Sequence, residues 1–127
     1  MTGLLLVWAI CVVGGSALLH EFGHAWAARA VGWRVVGMRW RWYGVVCVTD
    51  PRGKIDQMWK VALGGLGATA LLALAFVPGT ALPDPTSVLF RLGVAVNTAL
   101  LLSNLVPILP LDGGHVLARL RGTRRRR

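Results

Sequence analysis

The fold is decided by one long apolar stretch near the start of the chain. Residues 3–31 read GLLLVWAICVVGGSALLHEFGHAWAARAV, with no charged residue before Glu21. The stretch exceeds the roughly 20 residues that a helix needs to span a membrane. Residues four apart share one face of a helix, so His20 and His24 could bind one Zn²⁺ with Glu21 beside it as a general base. The sequence therefore predicts a metal site inside a membrane-spanning helix.

The apolar surroundings decide between this interpretation and a chance match. An HExxH motif can arise by chance, and its histidines are then ordinary hydrogen-bonded residues of a protein core. Ionisable groups at membrane depth are costly and are kept there for a function. Three of them within five residues favour the metal site.

The composition of the whole chain agrees with a membrane protein. Of 127 residues, 55% are hydrophobic and 15% are charged, whereas charged residues make up about a quarter of soluble domains. The apolar segments predict three transmembrane helices, at about residues 3–31, 58–77 and 86–106, and a short basic C-terminal helix and tail at 113–127. We expect one all-α polytopic membrane domain, residues 1–127, whose third span is broken near Pro107 and Pro110.

The basic residues predict the orientation. The net charge is +9, and the basic side chains lie between the first two spans and after the third, whereas the loop at 78–85 carries one charge, Asp84. Positive residues collect on the cytoplasmic side, so we expect an external N-terminus and a cytoplasmic C-terminus in a prokaryotic cytoplasmic membrane. The arginine tail is expected to meet anionic lipid headgroups. No nucleic-acid motif accompanies it, so no nucleic-acid partner is expected.

Asp112 is the expected third ligand. Counted from the outer ends of their spans, the HExxH motif and Asp112 both reach the cytoplasmic side of the membrane. Catalytic zinc usually has three protein ligands and one open position, and two histidines with a carboxylate are a known set. Apart from Glu21, the other acids are all in loops. The alternative is that Asp112 only caps the last short helix.

The segment between the first two spans predicts a β-hairpin. Residues 38–42 alternate Met or Trp with Arg, residues 45–49 are a second β-prone run, and Tyr43-Gly44 can form the turn. The tryptophans would lie at headgroup level, and an unpaired strand edge could accept an unwound substrate by β-addition. The alternative is an irregular amphipathic loop. Cys47 falls in this segment and Cys11 in the first span, so both are expected to be free thiols.

A glycine cluster opens the second span. The run Gly64-Gly65-Leu66-Gly67 is not a phosphate loop, because no Lys-Ser/Thr follows it. Small residues let transmembrane helices approach closely. We expect this cluster to meet the first span at Gly14, Gly15 or Ala17.

Two motifs together resemble one known family. His20-Glu21-Phe22-Gly23-His24 in the first span and Asn104-xx-Pro107-xx-Pro110-Leu-Asp112-Gly113 in the third are similar to the intramembrane site-2 zinc metalloproteases. The resemblance implies a three-helix core with zinc held by His20, His24 and Asp112, and Glu21 as the catalytic glutamate. It also implies cleavage of transmembrane substrates, often to release a regulatory factor. The extra helices and PDZ or CBS domains of larger members are not found here, which leaves open a minimal enzyme, a fragment or one subunit of a homo-oligomer.

The expected function is that of an intramembrane zinc endopeptidase. Glu21 would take a proton from zinc-bound water and deliver it to the departing amine. Asn104 could donate to the developing oxyanion or could serve in interhelical hydrogen bonding, whereas Asn97 is expected to be structural and His115 is not expected to be a ligand. The alternative function is a non-proteolytic zinc-binding membrane scaffold or assembly subunit with the same fold.

Overall fold

The computed structural model describes residues 2–42, 44–108 and 111–124. Within them lie four α-helices and one two-stranded antiparallel sheet, with single 3₁₀ turns at Ile55–Gln57 and Pro78–Ala81. The helices are α1 (Thr2–Ala30), α2 (Met58–Phe76), α3 (Thr86–Leu105) and α4 (Asp112–Arg124), and the strands are β1 (Arg34–Arg41) and β2 (Gly44–Asp50).

Three helices are long and apolar enough to cross a membrane, judged by length and composition. These segments are Gly3–Ala30, Ile55–Ala81 and Thr86–Leu105. Large apolar side chains such as Leu6, Leu71 and Leu102 are at least 60% exposed on their surfaces, which suits a lipid environment and not water. The three predicted helices are confirmed, and α1, α2 and α3 begin and end within one residue of the predicted bounds.

The central helix α2 packs against α1, α3 and α4. It approaches α1 most closely where Gly64 faces Gly23, because a methyl group on either glycine would overlap the other's carbonyl oxygen. Of the three expected contact positions on α1, Gly14 and Gly15 are wrong, because a Cβ on either residue would have no neighbouring atom within 4 Å, and a contact at Ala17 stays a prediction. The two helices therefore converge along the half of α1 that carries the histidines.

The segment between α1 and α2 folds as the predicted hairpin. β1 pairs antiparallel with β2 from Arg34↔Asp50 to Arg41↔Gly44, with an irregularity between Val35 and Gly37. The turn was predicted at Tyr43-Gly44, and Tyr43 lies outside the described residues. A small buried cluster of Ala28, Trp33 and Val61 ties the start of the hairpin to α1 and α2, and the Trp33 indole donates to the Lys54 carbonyl at 3.1 Å.

The chain leaves the third span as predicted and returns as a short helix. α3 ends at Leu105, two residues before Pro107, whose ring lacks an N–H and disfavours helix in the preceding residue. Gly113 then lies against the Leu105 carbonyl, where a side chain would not fit. α4 begins at Asp112, one residue before the predicted start. The end of the predicted basic tail, residues 125–127, lies outside the described part of the chain.

α4 is held against α2 by an aromatic and basic contact. The Arg119 guanidinium lies 5.9 Å from the centre of the Trp59 ring, and Lys60 Nζ lies 5.6 Å from the same ring. Both distances are within cation–π range. The contact of Arg119 with Trp59 therefore links α4, whose first residue is Asp112, to α2.

Candidate metal centre

The two histidines of the HExxH motif face the same direction from α1. His20 and His24 are one helical turn apart, with ring centroids 4.7 Å apart and planes nearly perpendicular. Their Nε2 atoms are 3.1 Å apart. His20 is only 5% exposed, whereas Leu19 beside it is 47% exposed. The predicted sharing of one face is confirmed.

Asp112 joins them from the far end of the chain. Its Oδ2 atom lies 3.3 Å from Nε2 of His20 and 3.3 Å from Nε2 of His24. These three residues form a group that could hold a metal ion. Asp112 is also the first residue of α4. It therefore lies both in the predicted ligand position and at a helix terminus, the alternative given for it.

The hydrogen bonds made by Nδ1 of His20 and His24 determine which nitrogen of each ring carries the proton. His24 Nδ1 lies 2.8 Å from the Val61 carbonyl, which can only accept, so Nδ1 carries the proton. His20 Nδ1 lies 2.7 Å from Thr69 Oγ1, whose own hydrogen goes to the Gly65 carbonyl at 3.0 Å. His20 Nδ1 is therefore also a donor. In the neutral rings, both Nε2 atoms then present lone pairs to a carboxylate oxygen.

Three electron-pair donors at this distance require a positive charge between them. Asp112 Oδ2 is buried and has no well-aligned hydrogen bond, although both imidazoles are 3.3 Å away. Burial raises the pKa of Asp112, whereas hydrogen bonds and charge from protonated His20 and His24 would lower it below its usual value. A divalent cation would satisfy all three atoms at once.

The spacing fits zinc in particular. Zn–N and Zn–O bonds of about 2.0–2.1 Å in tetrahedral geometry separate neighbouring ligand atoms by about 3.3 Å. The triangle of donor atoms has sides of 3.1, 3.3 and 3.3 Å. Two imidazoles and one carboxylate are a donor set that zinc takes in proteins, so these residues fit a zinc ion.

The rings rest directly on α2. A methyl group at Gly65 would overlap the His24 ring and come within 2.9 Å of His20 Cε1. The glycine run that was assigned to close helix packing therefore also makes room for the metal ligands. No phosphate loop is formed there, since Gly64 and Gly65 lie within α2.

The carboxylate of Glu21 reaches the hairpin. Glu21 Oε2 accepts a hydrogen bond of 2.7 Å from the backbone N–H of Cys47 in β2. Burial raises the pKa of the Cys47 thiol, and the nearby Glu21 charge raises it further. Both cysteines are free, as expected. The hairpin thus packs against the metal centre and holds the residue predicted to be the base.

A cavity of about 480 Å³ opens over these residues. Its wall combines α1, β2, the start of α2, the end of α3 and the start of α4. The lining includes His20, Glu21, His24, Val45, Val46, Cys47, Leu100, Asn104, Asp112 and His115. All the predicted site residues therefore lie around one space, and β2 forms one side of it.

The two asparagines of α3 have different positions. Asn104 lines the cavity, and its Nδ2 donates to the Leu100 carbonyl of its own helix at 2.9 Å. Asn97 is fully buried and donates to the Gly93 carbonyl, also within α3, at 2.9 Å. Among the described residues, Asn97 Oδ1 has no hydrogen-bond partner. The role of Asn104 in catalysis stays a prediction.

Three groups at the site were not identified from the sequence. The Val61 carbonyl and the Cys47 N–H belong to the backbone, so no residue type marks them. Thr69 is a polar residue within an apolar span and could have been noticed on that ground. The contact of Thr69 with His20 could not have been predicted, because it depends on the rotation of α2 about its own axis.

Comparison with known proteins supports the metal site. No protein-family model matches the chain. A protein of Synechocystis sp. named "Putative zinc metalloprotease" is 35% identical in an alignment of 107 residues that covers 80% of this chain. The chain spans only 28% of that relative's length. The likeness supports a zinc metalloprotease family for this chain, and the relative's name agrees with the predicted zinc cofactor.

Proposed function

We propose that this chain is the core of an intramembrane zinc endopeptidase of the site-2 protease type. The observation that carries the proposal is the triangle of His20, His24 and Asp112 with Glu21 in the same cavity, on a helix built to cross a membrane. These three residues would hold the ion. Zinc, when bound, makes a water molecule more acidic and polarises the scissile carbonyl.

Glu21 is the general base in this proposal. Its carboxylate lines the cavity and takes a proton from the attacking water, then transfers it to the departing amine. The Cys47 N–H holds Oε2 on the cavity side. A carboxylate fixed in this way needs no rearrangement before proton transfer.

Asn104 is proposed to assist at the scissile carbonyl. A carboxamide has two N–H groups, and one of them donates to Leu100. The other can donate toward the oxyanion that develops as water adds to the carbonyl. Asn104 lines the cavity across from α1, as this role requires.

The substrate is proposed to be an unwound transmembrane segment that lies along β2. Because the Cys47 N–H points to Glu21 and not to β1, the edge of β2 beside Cys47 faces the cavity. Backbone hydrogen bonds at such an edge would compensate for those lost when a substrate helix unwinds. This mode of binding would tolerate many substrate sequences.

The protein is proposed to lie in a cytoplasmic membrane with its N-terminus outside and its C-terminus in the cytoplasm. The motive is the clustering of basic residues around the hairpin and α4. A Cys-free variant with a single Thr2→Cys or Thr123→Cys substitution can be treated with a membrane-impermeant thiol reagent in intact cells. The Thr2→Cys variant should be labelled, whereas labelling of the Thr123→Cys variant would reverse the orientation.

Cleavage of model transmembrane peptides by purified protein tests the proposed function. The wild type should cleave, and Glu21→Gln should not, because the amide cannot act as a base. Zinc content should be equal in the two proteins, because Glu21 is not a ligand. A zinc-loaded wild type that cleaves no peptide would favour the alternative, a zinc-binding membrane scaffold.

A further inference from the structure

Thr69 is the only side chain among the described residues that hydrogen-bonds a histidine of the metal centre from another helix without itself being a ligand. It is fully buried in α2. Its Oγ1 lies 2.7 Å from His20 Nδ1 and donates to the Gly65 carbonyl at 3.0 Å. Nothing in the ligand set or in the role of Glu21 accounts for this residue.

The direction of the two hydrogen bonds fixes the His20 ring. A hydroxyl has one hydrogen, and that of Thr69 goes to a carbonyl that can only accept. Thr69 Oγ1 must therefore accept from His20, which places the imidazole proton on Nδ1 and the lone pair on Nε2. Nε2 is the atom that faces His24 and Asp112.

His24 has the same arrangement with a different partner. Its Nδ1 donates to the Val61 carbonyl, also in α2. One helix thus orients both metal-binding rings, one through the backbone and one through a side chain. The backbone contact cannot be removed by substitution, but the side-chain contact can.

We propose that Thr69 is a positioning residue that holds His20 in the Nδ1-protonated form, with Nε2 aimed at the metal ion. This inference rests on the proposed zinc site, but it does not require that the protein be a protease. Removing the acceptor would leave a buried N–H without a partner and would let the ring rotate or change tautomer.

Zinc affinity of Thr69→Val and Thr69→Ser tests this role. Valine keeps the shape of threonine and removes the hydroxyl, whereas serine keeps the hydroxyl. Competition of purified protein with a chromophoric chelator should show zinc binding about 10–100-fold weaker in Thr69→Val. Thr69→Ser should stay close to the wild type. Thr98→Val, on the exposed face of α3, is the matched control and should also bind zinc like the wild type.

A second measurement shows which nitrogen of the His20 ring is protonated and which one binds the metal. In protein labelled with ¹⁵N-histidine, the wild type loaded with zinc should show His20 protonated at Nδ1 and bound to metal through Nε2. Metal bound through Nδ1 in the wild type would overturn the proposal even if Thr69→Val did not fold. Wild-type zinc affinity in a folded Thr69→Val protein would also overturn it.

The outcome is separable from that of the proposed function. If Thr69→Val weakens zinc binding and Thr69→Ser does not, Thr69 has the positioning role whether or not any variant cleaves a peptide. If the wild type cleaves and Thr69→Val cleaves equally with equal zinc affinity, the protease proposal stands and the role of Thr69 is refuted.

Discussion

Two glycine pairs in adjacent helices have opposite surroundings. Gly14-Gly15 of α1 has no atom within 4 Å of either Cβ position, whereas Gly64-Gly65 of α2 lies against α1 so closely that no methyl group would fit. The Cβ positions of one glycine pair are free of neighbouring atoms, whereas those of the other are blocked by α1. Close approach is therefore confined to the level of His20 and His24, where it places the rings on α2.

The comparison teaches that α1 and α2 approach each other closely at the level of the candidate metal centre. At the level of Gly64 and Gly65, the backbone of α2 supplies a carbonyl acceptor and space for two imidazoles. At the level of Gly14 and Gly15, α1 carries exposed apolar side chains such as Ile10 and Val13, although Val12 and Ser16 are buried. The histidine-bearing half of α1 therefore packs closely on α2, whereas the first half has a large exposed apolar surface.

The largest effect should come from adding a methyl group at Gly65, where α2 lies against the histidine rings. Gly65→Ala would force the His20 and His24 rings away from α2, so zinc binding and cleavage should both be lost. Gly15→Ala is the matched control and should retain both, with a slightly more stable helix because alanine is the better helix former. Metal analysis of the two purified variants checks this. Equal zinc in both would show that the close approach has no part in the site.

A smaller effect should follow from releasing Glu21 from the hairpin. Cys47→Pro removes the N–H that donates to Glu21, and that N–H is not part of the pairing with β1. A hydrogen bond to a charged group is worth about 1.5–3 kcal/mol, so cleavage should fall roughly 10–100-fold while zinc stays bound. Cys47→Ala keeps the N–H and should cleave like the wild type.

A proline at the neighbouring Val46 sharpens this prediction. Val46 pairs with Arg39, and its N–H should serve the β1 ladder because antiparallel pairing alternates. Val46→Pro should therefore disrupt the hairpin itself, with loss of the β-sheet signal from this segment and a raised KM. Wild-type cleavage by both zinc-loaded proline variants would refute substrate presentation by β2.

The smallest effect should come from loosening α4. Trp59→Leu removes the ring that contacts Arg119, a contact worth about 0.5–1 kcal/mol at a partly exposed site. Zinc binding should weaken only a few-fold, because Asp112 at the start of α4 becomes less well fixed. Trp26→Leu is the matched control, since Trp26 is 75% exposed on α1. Weaker zinc binding in Trp26→Leu than in Trp59→Leu would contradict this account of α4.

The elements of the fold could be predicted because each has a strong local pattern. Long apolar segments predicted α1, α2 and α3, alternation predicted the hairpin, and Pro107 predicted the end of α3. The contact between α1 and α2 could not be predicted, because both helices are apolar around most of their circumference and no face is marked for packing. The expected contact at Gly14 and Gly15 was wrong for this reason.

The three residues of the candidate metal group were predicted to lie together, whereas the groups that contact them were not predicted. His20 and His24 are marked by their spacing, and Asp112 by its depth and by the few acids available. Thr69, the Val61 carbonyl and the Cys47 N–H are assigned only once α2 and β2 are placed in three dimensions. Two of these groups are backbone atoms, which no sequence pattern distinguishes.

The central claim is that residues from the two ends of the chain share one ion. Zinc per chain, measured by elemental analysis of purified protein, tests it most directly in the wild type, Asp112→Ala and the control Asp56→Ala. Asp56 is an exposed acid that lies outside the ligand group. We predict one zinc per chain in the wild type and in Asp56→Ala, and much less in Asp112→Ala. Full zinc content in Asp112→Ala would contradict the shared site.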